Sequence, residues 1–465
     1  MTRRKWKKNV FYFLAGAHTK SGDDMQNSIW STGFTLPEFP TLERDFHTEV
    51  LIVGGGLAGV LCAYQLAQEG VDYALIEADR ICRGVSRNTT AKITSQHGLI
   101  YDKLLREFGA EKARLYWEAN EAALEQYRLL SGKIDCDFET KDNYVYSSTS
   151  RKNLERELTA LEELGIPAAF AEQLSLPLAA AGAIRFSNQA QFHPLKFVAG
   201  IAGGLRIYEH TAAREFVGKQ VITDRGTVTA SKIIVATHFP ILNKHGGYFV
   251  KQYQQRAYVL ALENAQRLDG MYLDEAQGGL SFRNYGELLL LGGGGHRTGK
   301  SGGGWAPLEA FARQNYPQAR EMCRWATQDC MSLDGVPYIG PYSRETPQLY
   351  VATGFNKWGM TSSMTAAMVL RDLVLGRGNR FAPVFDPSRR SLRPQLLCNG
   401  LESAKNLLSF GPPRCPHLGC KLKWNSQEHT WDCPCHGSRF TSDGTLLDNP
   451  ATGDLRKNPS TGRKE

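Results

Sequence analysis

The residues best suited to chemistry lie in two short boxes near the C-terminus. Cys415-Pro416-His417-Leu418-Gly419-Cys420 is followed by Cys433-Pro434-Cys435-His436-Gly437-Ser438. Each box carries a thiolate, an imidazole and one further cysteine. Two Cys and two His satisfy the donor set of a structural zinc site. Such a site gains nothing from the two extra cysteines, from Gly419 or from Gly437-Ser438, so zinc leaves part of the pattern unexplained. The second chemical stretch is Glu49 to Gly59, EVLIVGGGLAG. Gly54, Gly56 and Gly59 form G-x-G-x-x-G. The first glycine makes a tight turn, the second admits a pyrophosphate, and the third lets helix pack on strand.

The elements around that turn decide what it means. Leu51, Ile52 and Val53 form a short apolar run with β-branched residues, the mark of a buried parallel strand. Val60 to Gln68 continues as a helix whose N-terminus offers free N–H groups to phosphates. A second strand, Tyr73 to Ile76, ends at Glu77, an acid able to accept hydrogen bonds from a ribose 2′-OH. Strand, glycine turn, helix, strand and acid together mean dinucleotide binding. Further along, helices are expected over Asp102 to Ser131 and Ser150 to Leu164. Strands are expected over Ile207 to Phe216, Val221 to Thr223, Thr227 to Ala230 and Lys232 to Thr237. An antiparallel sheet is expected from Tyr258 to Ala261, Met271 to Leu273, Leu280 to Arg283 and Glu287 to Gly292, ended by the glycine run Gly292 to Gly295. A long helix starts near Gly359, and a short one covers Leu401 to Leu408.

The totals exclude some classes. The chain has 465 residues, enough for two or three domains. No apolar run approaches the ~18 residues that span a bilayer. The net charge of +8 is spread along the chain, which argues against nucleic-acid binding. Of ten cysteines, Cys62, Cys82, Cys136, Cys323, Cys330 and Cys398 are scattered and read as buried thiols in a reducing compartment. At the N-terminus, Arg3, Arg4, Lys5, Lys7 and Lys8 precede a short apolar run, Val10 to Ala17, the outline of an export signal. The competing readings are a basic tail or a true start at Met25. Because that run is short, a cytoplasmic location is expected.

From Glu49 to Leu375 the chain resembles the D-amino-acid-oxidase-like flavoproteins, the glycine oxidase and sarcosine oxidase group. The resemblance rests on GGGLAG, Glu77, the TTAKIT loop, the KIIVAT strand, DGVPYIGP and GFNKWGMT. It implies FAD, and oxidation of an amine or amino acid C–N bond by hydride transfer to the flavin. Carried over by position, Gly54, Gly56 and Gly59 hold the pyrophosphate and Glu77 the adenosine ribose. Ala213 offers backbone to adenine, Thr90 and Ala91 lie near the flavin, and Gly359, Met360 and Thr361 meet its far end. No cysteine is evident for covalent flavin attachment. No catalytic acid or base is named. His97, His296, Lys357 and Trp358 fall near cofactor-facing loops and are read as structural before catalytic.

The two boxes together resemble Rieske iron-sulfur proteins. The resemblance implies a 2Fe-2S cluster with Cys415 and Cys433 on one iron and His417 and His436 on the other. It further implies a Cys420–Cys435 disulfide, a hydrogen bond from Ser438 to a cluster sulfur, and a covering proline loop at Asn449-Pro450-Ala451. Phe440 stands where the family often has a Tyr donor. Only Ser391 to Arg414 precedes the first box, so the strands usual there are missing and the module reads as truncated.

The expected fold is α/β (α+β): a Rossmann-like FAD-binding domain, an antiparallel-sheet substrate domain and a small all-β Rieske-type module. The expected boundaries are a basic tail at 1–24, an oxidoreductase at 25–376, a linker at 377–409 and a partial Rieske domain at 410–465. Within the oxidoreductase, FAD binding takes 47–100, 195–240 and 330–376, and the substrate domain takes 101–194 and 241–329. The expected function is oxidation of an amine or amino acid, with electrons passing from flavin to the cluster and on to an acceptor that the sequence does not identify. The rival readings are an O₂-using oxidase with an inert Rieske remnant, and a redox sensor that turns nothing over.

Overall fold

The computed structural model describes residues 27–242, 245–389, 394–409 and 411–456. The basic tail, Met25 and the side chain of Cys398 lie outside the described residues. An eight-stranded sheet is built on the first glycine turn. Its central strand, Phe46–Val53, pairs in parallel with Tyr73–Ile76 on one side and Thr227–Val235 on the other. Leu349–Thr353 extends it in parallel beyond Thr227–Val235. The inner residues Val50 to Val53 are all buried, as a strand covered on both faces requires. The helices Leu57–Gln68 and Gly359–Val374 pack on one another over this sheet.

A nine-stranded sheet forms the second layer. Its order runs Arg320–Ser332, Gln252–Glu263, Leu288–Arg297, Ser281–Tyr285, Met271–Asp274, Glu139–Ser147, Gly182–Gln191 and Lys92–Ile93, with Ala169–Ala171 added on Gly182–Gln191. The third sheet has four short antiparallel strands, Lys423–Asn425, Thr430–Asp432, Arg439–Thr441 and Leu446–Asp448. It carries the second box between its second and third strands.

Several elements differ from their sequence expectation. Ile207 to Phe216 is split into Ile207–Tyr208 and Ala213–Val217, with His210 at a positive φ of 51° between them. Thr227 to Ala230 and the KIIVAT run form one strand, Thr227–Val235. The glycine run does not end its sheet, because the strand continues to Arg297 across a register shift opposite Arg256 and Tyr258. The strand Arg320–Ser332 had no counterpart in the sequence reading. Its buried face includes the polar Gln328 and Ser332 and its less buried face the apolar Ala326 and Met331, so polarity does not mark the period. The helix expected over Leu401 to Leu408 begins at Pro394. It fills the place where Rieske strands were missed. Among the described residues from 394 to 414, the β-pairing is the single bridge of Arg414 with Lys421.

Candidate flavin cavity and metal centre

A cavity of about 1110 Å³ runs along the carboxyl ends of the parallel strands, where doubly wound sheets bind their ligands. The three glycines of the turn play different parts. A Cβ at Gly59 would sit 1.9 Å from the Gly54 carbonyl oxygen, so this glycine lets helix and strand close. A Cβ at Gly54 would meet the Ala236 carbonyl oxygen at 2.6 Å. A Cβ at Gly56 would meet only Ser86 Oγ, at 3.6 Å. Gly56 also has an ordinary extended backbone, with φ −68°. Protein packing therefore does not demand glycine at 56. The space it leaves belongs to the cavity, which fits a cradle for a bulky phosphate ligand.

Glu77 lines the same cavity and is braced by the chain itself. Its carboxylate accepts N–H bonds from Gly55 at 2.6 Å and Asp79 at 3.0 Å. Burial raises its pKa, and those N–H bonds oppose the rise. A carboxylate offers about four lone-pair sites, so acceptor capacity remains for a ribose. Ala213, Thr90, Gly359 and Met360 also line the cavity. Ala91 and Thr361 stand behind the lining: Ala91 is fully buried, and Thr361 Oγ1 donates to the Thr94 carbonyl at 3.1 Å. Cys82 is the one free cysteine among the lining residues, and burial pushes its thiol up to about 12, so it is a poor nucleophile for flavin attachment.

The weak catalytic candidates separate. His97 is pinned between Tyr116 Oη at 2.6 Å and Thr94 O and Thr361 Oγ1, both at 2.9 Å. Burial pulls its pKa down to about 3, so it is neutral and positions other groups. His296 lies outside the cavity lining, stacked on Tyr258. Lys357 lines the cavity together with Asp329. Burial lowers the lysine and raises the acid, and each charge partly offsets the effect on the other. Lys92, which the sequence reading passed over, also reaches the cavity. Its Nζ donates to Tyr272 O at 2.9 Å and to Ser281 Oγ, and burial followed by the Arg283 charge pulls it down to about 7. A lysine inside the TTAKIT loop was the available signal. Asp329 gave none, because its strand was not recognised.

The two cysteine and histidine boxes converge at the third sheet. Cys415 and Cys433 share a sulfur hydrogen bond, which pulls Cys415 down to about 7 and pushes Cys433 up. The His417 and His436 rings lie 4.8 Å apart. Burial holds them at about 4 and about 3, so both imidazoles are neutral. Both ring nitrogens of His436 are buried without a hydrogen-bond partner. A buried, neutral imidazole with both nitrogens unpartnered beside two thiols has the donor chemistry of a metal ligand set. Cys420 and Cys435 form a disulfide, and the Cys433 sulfur lies within 4.8 Å of both its sulfurs. Ser438 Oγ accepts the Ala451 N–H at 2.9 Å and so ties the proline loop to the second box.

The oxidoreductase sheet supplies the support that the missing strands do not. Gln254 Nε2 donates to His436 O at 2.9 Å and Asn449 O at 3.2 Å, and Gln328 Nε2 donates to Gly437 O at 2.8 Å. His436 is 2% exposed and meets the Phe239 and Phe249 rings edge-on at 6.2 Å. Thr237, His238 and Ile241, beside Phe239, line the flavin cavity, as do residues from Leu446 to Asp454 of the C-terminal module. Asn449 Nδ2 donates to the carbonyls of Thr237 and Phe239.

Fold and site define a two-module redox enzyme, an FAD oxidoreductase joined to an iron-sulfur module. The chain belongs to the FAD dependent oxidoreductase family, which it matches over residues 49–373, and it carries a Rieske [2Fe-2S] domain over residues 405–459. Its cofactors are accordingly FAD and a 2Fe-2S cluster. It is 34% identical to YhfW of Bacillus subtilis, named as a Rieske 2Fe-2S iron-sulfur protein, over 92% of this chain and 97% of that one. It is 25% identical to gamma-glutamylputrescine oxidoreductase of Escherichia coli, over 74% of this chain and 87% of the relative. Glycine oxidase from Geobacillus kaustophilus shares the fold with a TM-score of 0.62 and 22% identity, over 74% of this chain and 99% of that one. No helix among the described residues is long and apolar enough to cross a membrane.

Proposed function

We propose that this enzyme oxidises an amine or amino acid at its C–N bond and passes the electrons from flavin to the 2Fe-2S cluster. The observation that carries the second half is the contact of His436 with Phe239, whose neighbours Thr237 and His238 line the flavin cavity. The substrate class draws on the amine named for the Escherichia coli relative and on the glycine oxidase fold.

FAD, when bound, supplies the hydride acceptor. Gly56 and the helix N-terminus at Leu57 would hold its pyrophosphate, and Glu77 its ribose. Thr90, Gly359 and Met360, which line the cavity, would hold the flavin end, and Ala213 the adenine. Cys415, His417, Cys433 and His436 hold the cluster. A substrate ammonium must lose a proton before its α C–H can depart with an electron pair. Lys92, whose pKa burial pulls down to about 7, lines the cavity and is placed to take that proton, and Lys357, also in the lining, is the cation available to a substrate carboxylate.

The test is anaerobic mixing of the enzyme with a panel of amines and amino acids, following flavin absorbance and cluster EPR together. Flavin bleaching followed by cluster reduction is expected. Bleaching without cluster reduction leaves an oxidase with an inert remnant, and no bleaching across the panel refutes the substrate class. A cytoplasmic location belongs to the same proposal. N-terminal sequencing of protein from cells checks it, since a mature chain starting at His18 means cleavage and export.

A further inference from the structure

Nine large apolar side chains are exposed among the described residues, and six of them fall between Leu401 and Leu447. Three surround the outer side of the first box. Leu418, next to His417, is 38% exposed, and Leu407 and Leu408 at the end of the helix Pro394–Leu408 are 43% and 77% exposed. The helix end is tied to the box. The Arg414 guanidinium donates to Gly419 O at 2.7 Å and Ser409 O at 2.6 Å, and the Lys421 N–H donates to Asn406 O at 3.1 Å. A Cβ at Gly419 would stand 4.0 Å from Leu407 Cδ2.

The two histidines differ in outlook. Phe239 meets both rings edge-on, at 6.2 Å for His436 and 6.4 Å for His417, but His436 is buried and also meets Phe249, whereas His417 is partly exposed beside Leu418. The surrounding charge has one sign. Residues 401–424 contain Lys405, Arg414, Lys421 and Lys423 against a single acid, Glu402, which is paired with Lys300. An apolar centre with a cationic rim complements a partner with an apolar contact and an acidic rim.

We propose that Leu407, Leu408 and Leu418 around His417 form the docking surface of an acidic one-electron carrier protein. The inference rests on the flavin-to-cluster reading above and supplies its missing acceptor. His436 is the inner edge, towards the flavin cavity, and His417 is the outer edge. The reduced cluster loses one electron and the carrier's metal gains it. The transfer itself would move one electron and no atom, so a flavin holding two electrons would need two carrier encounters and would release its N5 proton to solvent as it is reoxidised.

The holoenzyme, reduced with dithionite and desalted anaerobically, is mixed in a stopped-flow instrument with an acidic blue-copper protein or with basic cytochrome c. Chemical reduction needs no substrate, so failure of the substrate reading leaves this test intact. The blue-copper protein should be reduced at least about tenfold faster than cytochrome c at low salt, and its rate should fall steeply as salt rises. Leu408→Glu and Lys405→Glu should each slow that reaction several-fold with the cluster EPR signal unchanged. Equal rates for the two carriers, or rates indifferent to salt and to both substitutions, overturn the proposal. So does a Leu408→Glu enzyme that changes from dimer to monomer with undiminished electron transfer, because the patch then joins two copies of this chain.

Discussion

Replacing Glu428 with Gln should release the C-terminal module from the oxidoreductase sheet. Glu428 sits in the turn between Lys423–Asn425 and Thr430–Asp432, yet its side chain is 9% exposed. It accepts bonds from Arg256 Nε at 3.0 Å, Tyr258 Oη at 3.2 Å and Arg439 Nη2 at 2.8 Å. Arg439 continues the network to Asp432 at 3.0 Å and Asp448 at 3.1 Å. Arg256 belongs to the oxidoreductase, and Glu428 is its ion-pair partner there. Burial alone would raise the carboxyl, but the two guanidiniums overcome it and hold it at about 2 instead of 4.5. That depression corresponds to about 3 kcal/mol. Breaking a buried pair by removing one partner costs about 3–5 kcal/mol, because a charge is left uncompensated. Glu428→Gln should therefore lower the opening free energy of the module by about 3 kcal/mol, read by amide hydrogen exchange of residues 411–456. The depressed pKa also fixes the pH window. This stabilisation is complete above about pH 4.5 and is lost as the pH falls towards 2 in the wild type. Unchanged exchange protection in Glu428→Gln, or a wild-type module whose opening is insensitive to acid in that window, would refute the reasoning.

The glycine turn yields a paired prediction. Gly56→Val should abolish FAD binding while leaving the apo fold intact by circular dichroism, whereas Gly59→Ala should cost folding itself, since its Cβ would lie 1.9 Å from a carbonyl oxygen. Full flavin occupancy in Gly56→Val sinks the first half. Acid precipitation of the wild type should release yellow FAD into the supernatant, and colour kept in the pellet means covalent attachment. Purified protein should hold about two irons per chain and, once reduced, give the low average g-value of mixed Cys/His ligation. His436→Cys should move the signal towards all-thiolate character and lower the potential, as an anionic ligand replaces a neutral one. Zinc in place of iron, in protein from iron-replete cells, would overturn the cluster.

Much of the site was legible from residue type and spacing. G-x-G-x-x-G with its flanking strands and Glu77 is a local device, for turn, helix start and acid all lie within thirty residues. The two boxes are equally local, and their residue types state their chemistry. Spacing also assigned the three glycine roles, and the fold supplies the contact that spacing could not name, Ala236 at the end of the neighbouring strand against Gly54. Lys92 and Asp329 were not legible in this way. They stand far apart in sequence and acquire shifted pKa values only once the sheets enclose them.

The truncated C-terminal module shows the division most clearly. The sequence by itself determined that metal ligands are present and that the strands expected to hold them are absent. Only the tertiary structure decided what takes their place: the helix Pro394–Leu408, Gln254 and Gln328 of the oxidoreductase sheet, and the Arg256–Glu428 pair. Those contacts join residues up to 195 positions apart. No periodicity or motif encodes them, because hydrogen bonds and ion pairs between modules depend on which faces the completed sheets present to one another.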